Sequence, residues 1–233
     1  MNPVEIKICG ITNVRDAKAC VEMGAQLIGL NFYSRSPRYI EPDIGRKIVE
    51  TLPPDTDTVG VFVDGGTDKI RNAARTARVR SIQLHGNFSP EIARELADEF
   101  RVIRAFSTDP RFRPEHAALF QNCDVLIDAH DPDLPGGTGR TCDWPVARAT
   151  LIFTRFLILS GGLNAQNVGQ AIHAVGPHAV DVCSGVEKAP GVKDHGAIEN
   201  FVAAVRTAER SLADRVVSET KDLRSSSTRD SPE

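Results

Sequence analysis

Short apolar runs recur along the chain at fairly even spacing, with amphipathic stretches between them. The runs are Val4–Cys9, Leu27–Phe32, Thr58–Val63, Arg80–Leu84, Val102–Phe106, Asp124–Asp128, Phe156–Leu159 and Ala179–Cys183. Each is too short for a helix and apolar enough to be covered on both faces, the pattern of parallel strands. The stretches between them carry helical periodicity and start signals. Asn13 can cap a helix bearing Ala17, Cys20 and Val21, and Asp43 can start one bearing Ile44, Ile48 and Val49. Ser89-Pro90 opens a helix with Ile92, Ala93 and Leu96, and Asn164 opens one with Val168 and Ile172. The segment Asp109–Gln121 holds two prolines, which predicts a short helix there.

Strands alternating with helices in eight units fit either a doubly wound sheet or a closed barrel. Eight parallel strands close with side chains filling the middle, which favours a single (β/α)₈ barrel, a TIM barrel of the α/β class. A dinucleotide fold would carry a GxGxxG turn after the first strand, whereas this turn reads CGITN with one glycine. The last helix is expected from about Asp194 to Leu212, so the barrel domain takes residues 1–212. Residues 213–233 are expected to form a polar, disordered C-terminal tail, because ETKDLRSSSTRDSPE lacks the apolar surface to offset ordering.

Composition narrows the function classes. The 233 residues are 41% hydrophobic and 25% charged, with a net charge of −3, so there is no basic field to attract a nucleic-acid backbone. The opening MNPVEIKICG does not read as a signal peptide, and no apolar run approaches the roughly 20 residues that span a bilayer. The expectation is a cytoplasmic protein, monomeric, with neither a nucleic acid nor a membrane as partner. Five cysteines, odd in number and never spaced CxxC, argue against a disulfide framework and a zinc site.

Active sites of such barrels lie at the carboxyl ends of the strands. Strand seven leads into Ser160-Gly161-Gly162 and strand eight into Cys183-Ser184-Gly185. Glycines let backbone amides approach an anion, and helix amino termini add partial positive charge. A single such turn is often no more than a tight connection; two of them, in the loops that form the usual phosphate site, point to Gly161, Gly162, Ser184 and Gly185 as phosphate-binding. The expected partner is a phosphorylated small molecule, a monophosphorylated sugar. Cys9 and Asp128 end strands one and six and can face each other across the barrel mouth, where a thiolate and a carboxylic acid suit proton removal and donation. Alone, Cys9 reads as a buried hydrophobe and Asp128 as a cap. Arg38 in Ser36-Pro37-Arg38-Tyr39 can offer a planar fork to a substrate carboxylate, or be a solvated surface cation. The long loop after Asp128, with three glycines, reads as a lid ending where Asp143 caps the next helix.

Seven stretches then match a known family in order and spacing. KICGIT (Lys7–Thr12), FYSRSPRYI (Phe32–Ile40), VGVFVD (Val59–Asp64) and QLHG (Gln83–Gly86) resemble phosphoribosylanthranilate isomerases. So do LIDAHDPDLPGGTGRTCDW (Leu126–Trp144), LSGGLNAQNV (Leu159–Val168) and VDVCSGVEKAPGVKD (Val180–Asp194). The resemblance implies an Amadori rearrangement of N-(5'-phosphoribosyl)anthranilate to 1-(2-carboxyphenylamino)-1-deoxyribulose 5-phosphate in tryptophan biosynthesis. It implies Asp128 as general acid at the furanose oxygen, Cys9 as general base at C2′, and Arg38 on the anthranilate carboxylate. It implies phosphate on the two glycine turns, and no metal or organic cofactor. The family usually has an aromatic residue where Cys142 stands and a serine where Cys183 stands; the second change makes Cys183 an oxidation site near the ligand.

Two other enzyme readings are weaker. A metal-dependent pentose-phosphate epimerase needs a histidine and acid cluster at strand ends. Of six histidines only His85 ends an expected strand, where it reads as a hydrogen-bonding residue lining the site. An isomerase that also serves histidine biosynthesis uses paired aspartates, whereas strand one here ends in cysteine. A catalytically dead sugar-phosphate binding protein would need to have lost the acid or the base, and both residues are present.

Overall fold

The computed structural model describes residues 3–129 and 142–227, with residues 215–227 as backbone. Eight parallel strands close in sequence order: β1 (Glu5–Ile8), β2 (Leu27–Asn31), β3 (Asp57–Phe62), β4 (Ser81–Leu84), β5 (Arg101–Ser107), β6 (Asp124–Asp128), β7 (Leu157–Leu159) and β8 (Ala179–Val182). Closure comes from β1 pairing with β8, where Ile6 faces Val180 and Lys7 faces Asp181. The helices are α1 (Val14–Glu22), α2 (Pro42–Val49), α3 (Thr67–Ala77), α4 (Pro90–Ala97), α5 (Trp144–Thr150), α6 (Val168–Val175) and α7 (His195–Ser227). Between β5 and β6 the connection is a 3-10 segment, Pro114–Phe120, in keeping with the two prolines of that stretch. A two-stranded hairpin, β9 (Glu187–Ala189) and β10 (Val192–Lys193), follows β8.

Alternation along each strand sorts the side chains into two cores. Leu27, Val59, Ile103, Leu126, Ile158 and Ala179 fill the middle of the barrel. Residues of opposite parity, such as Ile6, Ile8, Ile28, Leu30, Ile82 and Ile127, pack outward against Ile48, Ile70, Leu96, Ile172, Ile198 and Phe201 of the helices. Two-sided burial is why the runs look continuously apolar in the sequence.

Asn13 and Asp143 cap as expected, their side chains accepting from the amides of Asp16 and Val146. Two starts differ. Glu41 stands at the cap of α2 with Pro42 next, since proline's fixed φ suits the first helical position, and Asp43 lies inside the first turn. The cap position of α6 is Asn167, while Asn164 shapes a preceding turn by accepting from the amides of Gln166 and Asn167. The third difference is at the C-terminus, where α7 runs past the expected end at Leu212 and the expected tail from residue 213 is helical through Ser227. No glycine or proline interrupts residues 197–227, and the Arg, Glu, Lys and Leu of that stretch favour helix, so the helix begun on the core by Ile198 and Phe201 carries on. The rest of the expected tail, residues 228–233, lies outside the described residues.

Candidate active site

The carboxyl ends of the strands surround a cavity of about 260 Å³ whose lining includes Cys9, Arg38, His85, Asp128, Ser160 and Cys183. Three residues singled out from sequence, Cys9, Asp128 and Arg38, therefore share one space. Cys9 follows β1, held by its amide donating to Val182 O at 2.9 Å. Gly10 then turns the chain with φ +75°, and a Cβ there would lie 2.5 Å from Arg38 Cδ and 2.9 Å from Cys183 Sγ. Only glycine lets those two side chains close over this turn. A second cavity, about 310 Å³, lies outside the barrel between α4 and the Pro114–Phe120 segment; burial pushes its Cys123 thiol up to about 11, which leaves it inert there.

The thiol of Cys9 is brought down to about 7 by a hydrogen bond from Cys183, against the effect of burial, with the charges of Lys7 and Lys193 helping. Lys7 is wholly buried in the barrel interior and pairs with Asp181 at 3.0 Å. Burial works against its charge, yet Asp181 and then Cys9 hold it above the ordinary lysine range, so it is a fixed cation beneath the thiolate. Cys183 goes the other way: its bond to Cys9, and then burial, raise it, and it faces Glu187 Oε1 at 4.0 Å. The proton of the cysteine pair therefore stays on Cys183.

Asp128, almost fully buried at the end of β6, is raised above the usual carboxylate range, first by burial, although His85 opposes this. Its Oδ1 accepts from the Ala129 amide at 2.8 Å, and His85 Nε2 lies 3.5 Å from Oδ2. Burial lowers His85, which keeps the ring neutral. Gln83 Nε2 approaches His85 Nδ1 at 3.2 Å; donation there puts the ring proton on Nε2, facing the carboxyl. Thus a proton-poor sulfur and a carboxyl inclined to keep its proton share the cavity. His85, hydrogen-bonded to Gln83, is a close polar neighbour of Asp128.

Arg38 does not stand free. Its Nε and Nη2 fork onto Glu187, at 3.0 and 2.7 Å to the two carboxylate oxygens. This holds the guanidinium plane by its Nε edge, and the opposite edge of such a plane can offer two further N–H groups. Glu187 in turn accepts from Lys193 Nζ at 2.9 Å, and that ammonium also donates to the backbone oxygens of Cys9 and Cys183, at 2.6 and 3.2 Å.

The two glycine turns touch. A Cβ on Gly185 would sit 2.0 Å from Leu163 O, and one on Gly161 would sit 2.5 Å from the Ala129 amide nitrogen. Gly161 and Gly162 have φ of +87° and +60°. Ser184 and Gly185 lie in a one-turn 3-10 helix, Ser184–Val186, directly after β8. The cavity lining itself takes in Ser160 and Cys183, the residues just before each turn. Most of the loop read as a lid, residues 130–141, lies outside the described residues. Cys142 is buried, and burial pushes its thiol up to about 12.

Sequence reasoning passed over Lys7, Asp181, Glu187 and Lys193. A signal for the first two was present. Each is a charged residue inside an apolar strand run, two positions before Cys9 or Cys183, and period-two alternation places it on the same inner face. Glu187 and Lys193 had no such signal, because their roles depend on the hairpin after β8. Among the described residues, no group of three or more His, Cys, Asp or Glu is arranged to hold a metal ion, and no helix is long and apolar enough to cross a membrane.

Residues 6–204 match the family model described as N-(5'phosphoribosyl)anthranilate (PRA) isomerase. Among curated relatives, the N-(5'-phosphoribosyl)anthranilate isomerase of Thermotoga maritima is 43% identical over 199 residues, 85% of this chain and 97% of the relative. That of Trichlorobacter lovleyi is 38% identical over 205 residues, 88% of this chain and 99% of the relative. The crystal structure of phosphoribosyl anthranilate isomerase from Thermotoga maritima is similar with a TM-score of 0.82 at 41% identity, covering 88% of this chain and 99% of that one. A crystal structure of such an isomerase in complex with reduced 1-(o-carboxyphenylamino)-1-deoxyribulose 5-phosphate gives 0.79 at 39% identity, with 88% and 99% covered.

Proposed function

The chain belongs to the N-(5'-phosphoribosyl)anthranilate isomerase family, and from that premise we propose that Cys9 is the general base and Asp128 the general acid of its reaction. The enzyme is an isomerase of tryptophan biosynthesis: it carries out the Amadori rearrangement of N-(5'-phosphoribosyl)anthranilate to 1-(2-carboxyphenylamino)-1-deoxyribulose 5-phosphate. The observation that carries the assignment of roles is the opposite tuning of two groups in one cavity. Cys9 is lowered to about 7 and Asp128 is raised. Asp128 donates its proton to the furanose ring oxygen, and the ring opens to an iminium. That cation acidifies the proton on C2′, which the Cys9 thiolate removes. The enolamine so formed tautomerises to the ketone. Lys7 stabilises the thiolate from below, and with His85 neutral the proposed acid in the described cavity lining is Asp128.

Arg38, steadied by Glu187, turns its remaining N–H edge to the anthranilate carboxylate. The phosphate lies on the Gly161-Gly162 and Ser184-Gly185 turns, with amides presented without side chains in the way. The proposed site draws its groups from strand ends and loops of this chain, and among the described residues no helix is long and apolar enough to cross a membrane. The test is the fluorescence decay of N-(5'-phosphoribosyl)anthranilate with purified protein. The wild type consumes the substrate. Cys9→Ser folds but loses most activity, because a hydroxyl is a far weaker base than a thiolate at neutral pH. Full turnover by that variant overturns the assignment of the base.

A further inference from the structure

We propose that Cys9 and Cys183 form an oxidisable pair, in which a hydroperoxide converts Cys9 to the sulfenic acid and Cys183 then closes a reversible disulfide between β1 and β8. The inference rests in part on the reading of Cys9 as the reactive thiolate. Its geometric basis is the barrel seam. Ile8 faces Val182 in the β1–β8 register, and the Cys9 amide donates to Val182 O, so Cys9 and Cys183 are the next facing pair. Neighbouring strands run about 4.8 Å apart. That separation lies inside the roughly 4.4–6.8 Å Cα window of disulfides. Cys9 seats its sulfur where a side chain on Gly29 would stand, 2.7 Å from that Cβ position, so only glycine there accommodates the thiol. Cys183 brings its own sulfur over Gly10.

Chemistry and access point the same way. Both cysteines are partly exposed and line the cavity that admits small molecules, whereas Cys20, Cys123 and Cys142 are buried. Burial pushes those three thiols up to about 12, 11 and 12, while Cys9 is lowered to about 7. Among the described cysteines the nucleophilic thiolate is thus Cys9, and its neighbour keeps the proton a resolving step needs. In the first step the Cys9 thiolate attacks one peroxide oxygen, the O–O bond breaks, and the other oxygen leaves as water or alcohol after taking a proton. Cys9 has then lost two electrons to the peroxide. In the second step the Cys183 sulfur attacks the Cys9 sulfur, the S–O bond breaks, hydroxide takes the Cys183 proton, and water leaves. A dithiol reverses the result. A serine at position 183 would not resolve the sulfenic acid, so the reversible state belongs to this cysteine pair.

The experiment treats the full chain with hydrogen peroxide and maps its peptides without reduction. The expected result is a Cys9–Cys183 linked peptide, a mass lower by two hydrogens, and a rate that falls with the linkage and returns to the untreated level with dithiothreitol. Cys183→Ser, compared with its own untreated rate, should give a dimedone adduct on Cys9, no linked peptide, and after prolonged exposure a loss that dithiothreitol does not reverse. Dimedone-labelled Cys9 in the wild type without a linked peptide overturns the proposal. So does a linked peptide joining Cys9 to any other cysteine. If the linked peptide forms while the rate persists, the oxidisable pair stands and the assignment of Cys9 as base falls.

Discussion

The two ends of the barrel hold charged residues of the same kinds and treat them differently. At the amino end, the first residues of β3, β4, β5 and β6 are Asp57, Ser81, Arg101 and Asp124. Arg101 bonds Asp57 at 2.8 Å and Asp124 at 2.6 Å, Ser81 donates to Asp57, and the guanidinium lies over Phe156. Each charge there is paired with another, Arg101 opposing the upward push of burial on Asp124. At the carboxyl end, Lys7 takes up Asp181, but Cys9 and Asp128 are set against weak or opposing partners. Cys9 has a fixed cation beneath it and is lowered, while Asp128 has burial without a paired guanidinium and is raised, so the two are pushed in opposite directions. The same alternation that fills the middle of the barrel with Leu27, Val59 and Ile158 delivers both sets. What separates a structural cluster from a reactive one is whether its groups are allowed to neutralise each other.

The largest effect expected at the carboxyl end is on the acid. Asp128→Asn should lower kcat by at least about 10²-fold while a product analogue binds nearly as before, since the amide keeps the volume but has no proton to give. Steady-state kinetics with titration calorimetry decides; a rate kept at saturation would move Asp128 to the paired kind of group seen at the other end. Next comes Arg38→Met, expected to weaken that analogue by roughly ten- to hundredfold, the worth of about 1.5–3 kcal/mol for a charge-assisted hydrogen bond. Normal binding would make the Arg38–Glu187 fork a purely structural pair, like Arg101 with its aspartates.

The third effect is a shift along the pH axis. With the proposed base Cys9 acting as thiolate, kcat/KM should rise as pH increases through about 7 and level above it. Lys7→Met removes the cation that favours the thiolate, so the same limb should move to higher pH. A limb that stays in place would show that Lys7 belongs with the paired charges. Stranding Asp181 in the interior carries a stability cost of about 3–5 kcal/mol, so the profile is best taken well below the melting temperature. The smallest effect belongs to the amino end. Arg101→Met should lower stability by about 1 kcal/mol, because the pair is partly exposed. At this size that is a Tm lower by ~2–4 °C with kcat unchanged, by calorimetry and assay. A fall in kcat would dissolve the division between the two ends.

All eight strands were legible because burial on both faces leaves an apolar run that few other elements produce, and the eight-fold count chose the barrel. That Cys9, Asp128 and Arg38 would line one cavity was legible because a barrel puts chemistry where strands stop, and the resemblance of KICGIT and SPRYI pointed to the same residues. Helix starts were less so. Asp43 and Asn164 carry the right side chains for caps, but Pro42 and the Asn164–Asn167 turn decide where the helices begin. The end of α7 is not legible from apolar content, because residues 213–227 lack apolar surface yet meet no helix breaker. Lys7 and Asp181 were readable by parity and were hidden by their apolar neighbours. Glu187 lies 149 positions from the arginine it steadies, and no local pattern encodes a pairing across such a distance.

The seam between β1 and β8 also bears on how the molecule comes into being. It is held by Lys7 to Asp181, residues 174 apart, and by Lys193, which reaches across to the backbone of Cys9 from 184 positions away. Contacts of such long range are the slowest to form, because the whole intervening chain must be gathered before they return any free energy. The proposed base, Cys9, sits on one lip of that seam and the Lys193 hairpin on the other. A barrel with β1 and β8 apart would hold Asp128 buried but leave Cys9 without Cys183 and Lys193 beside it. On the proposed roles, turnover should appear during refolding only once that seam has closed.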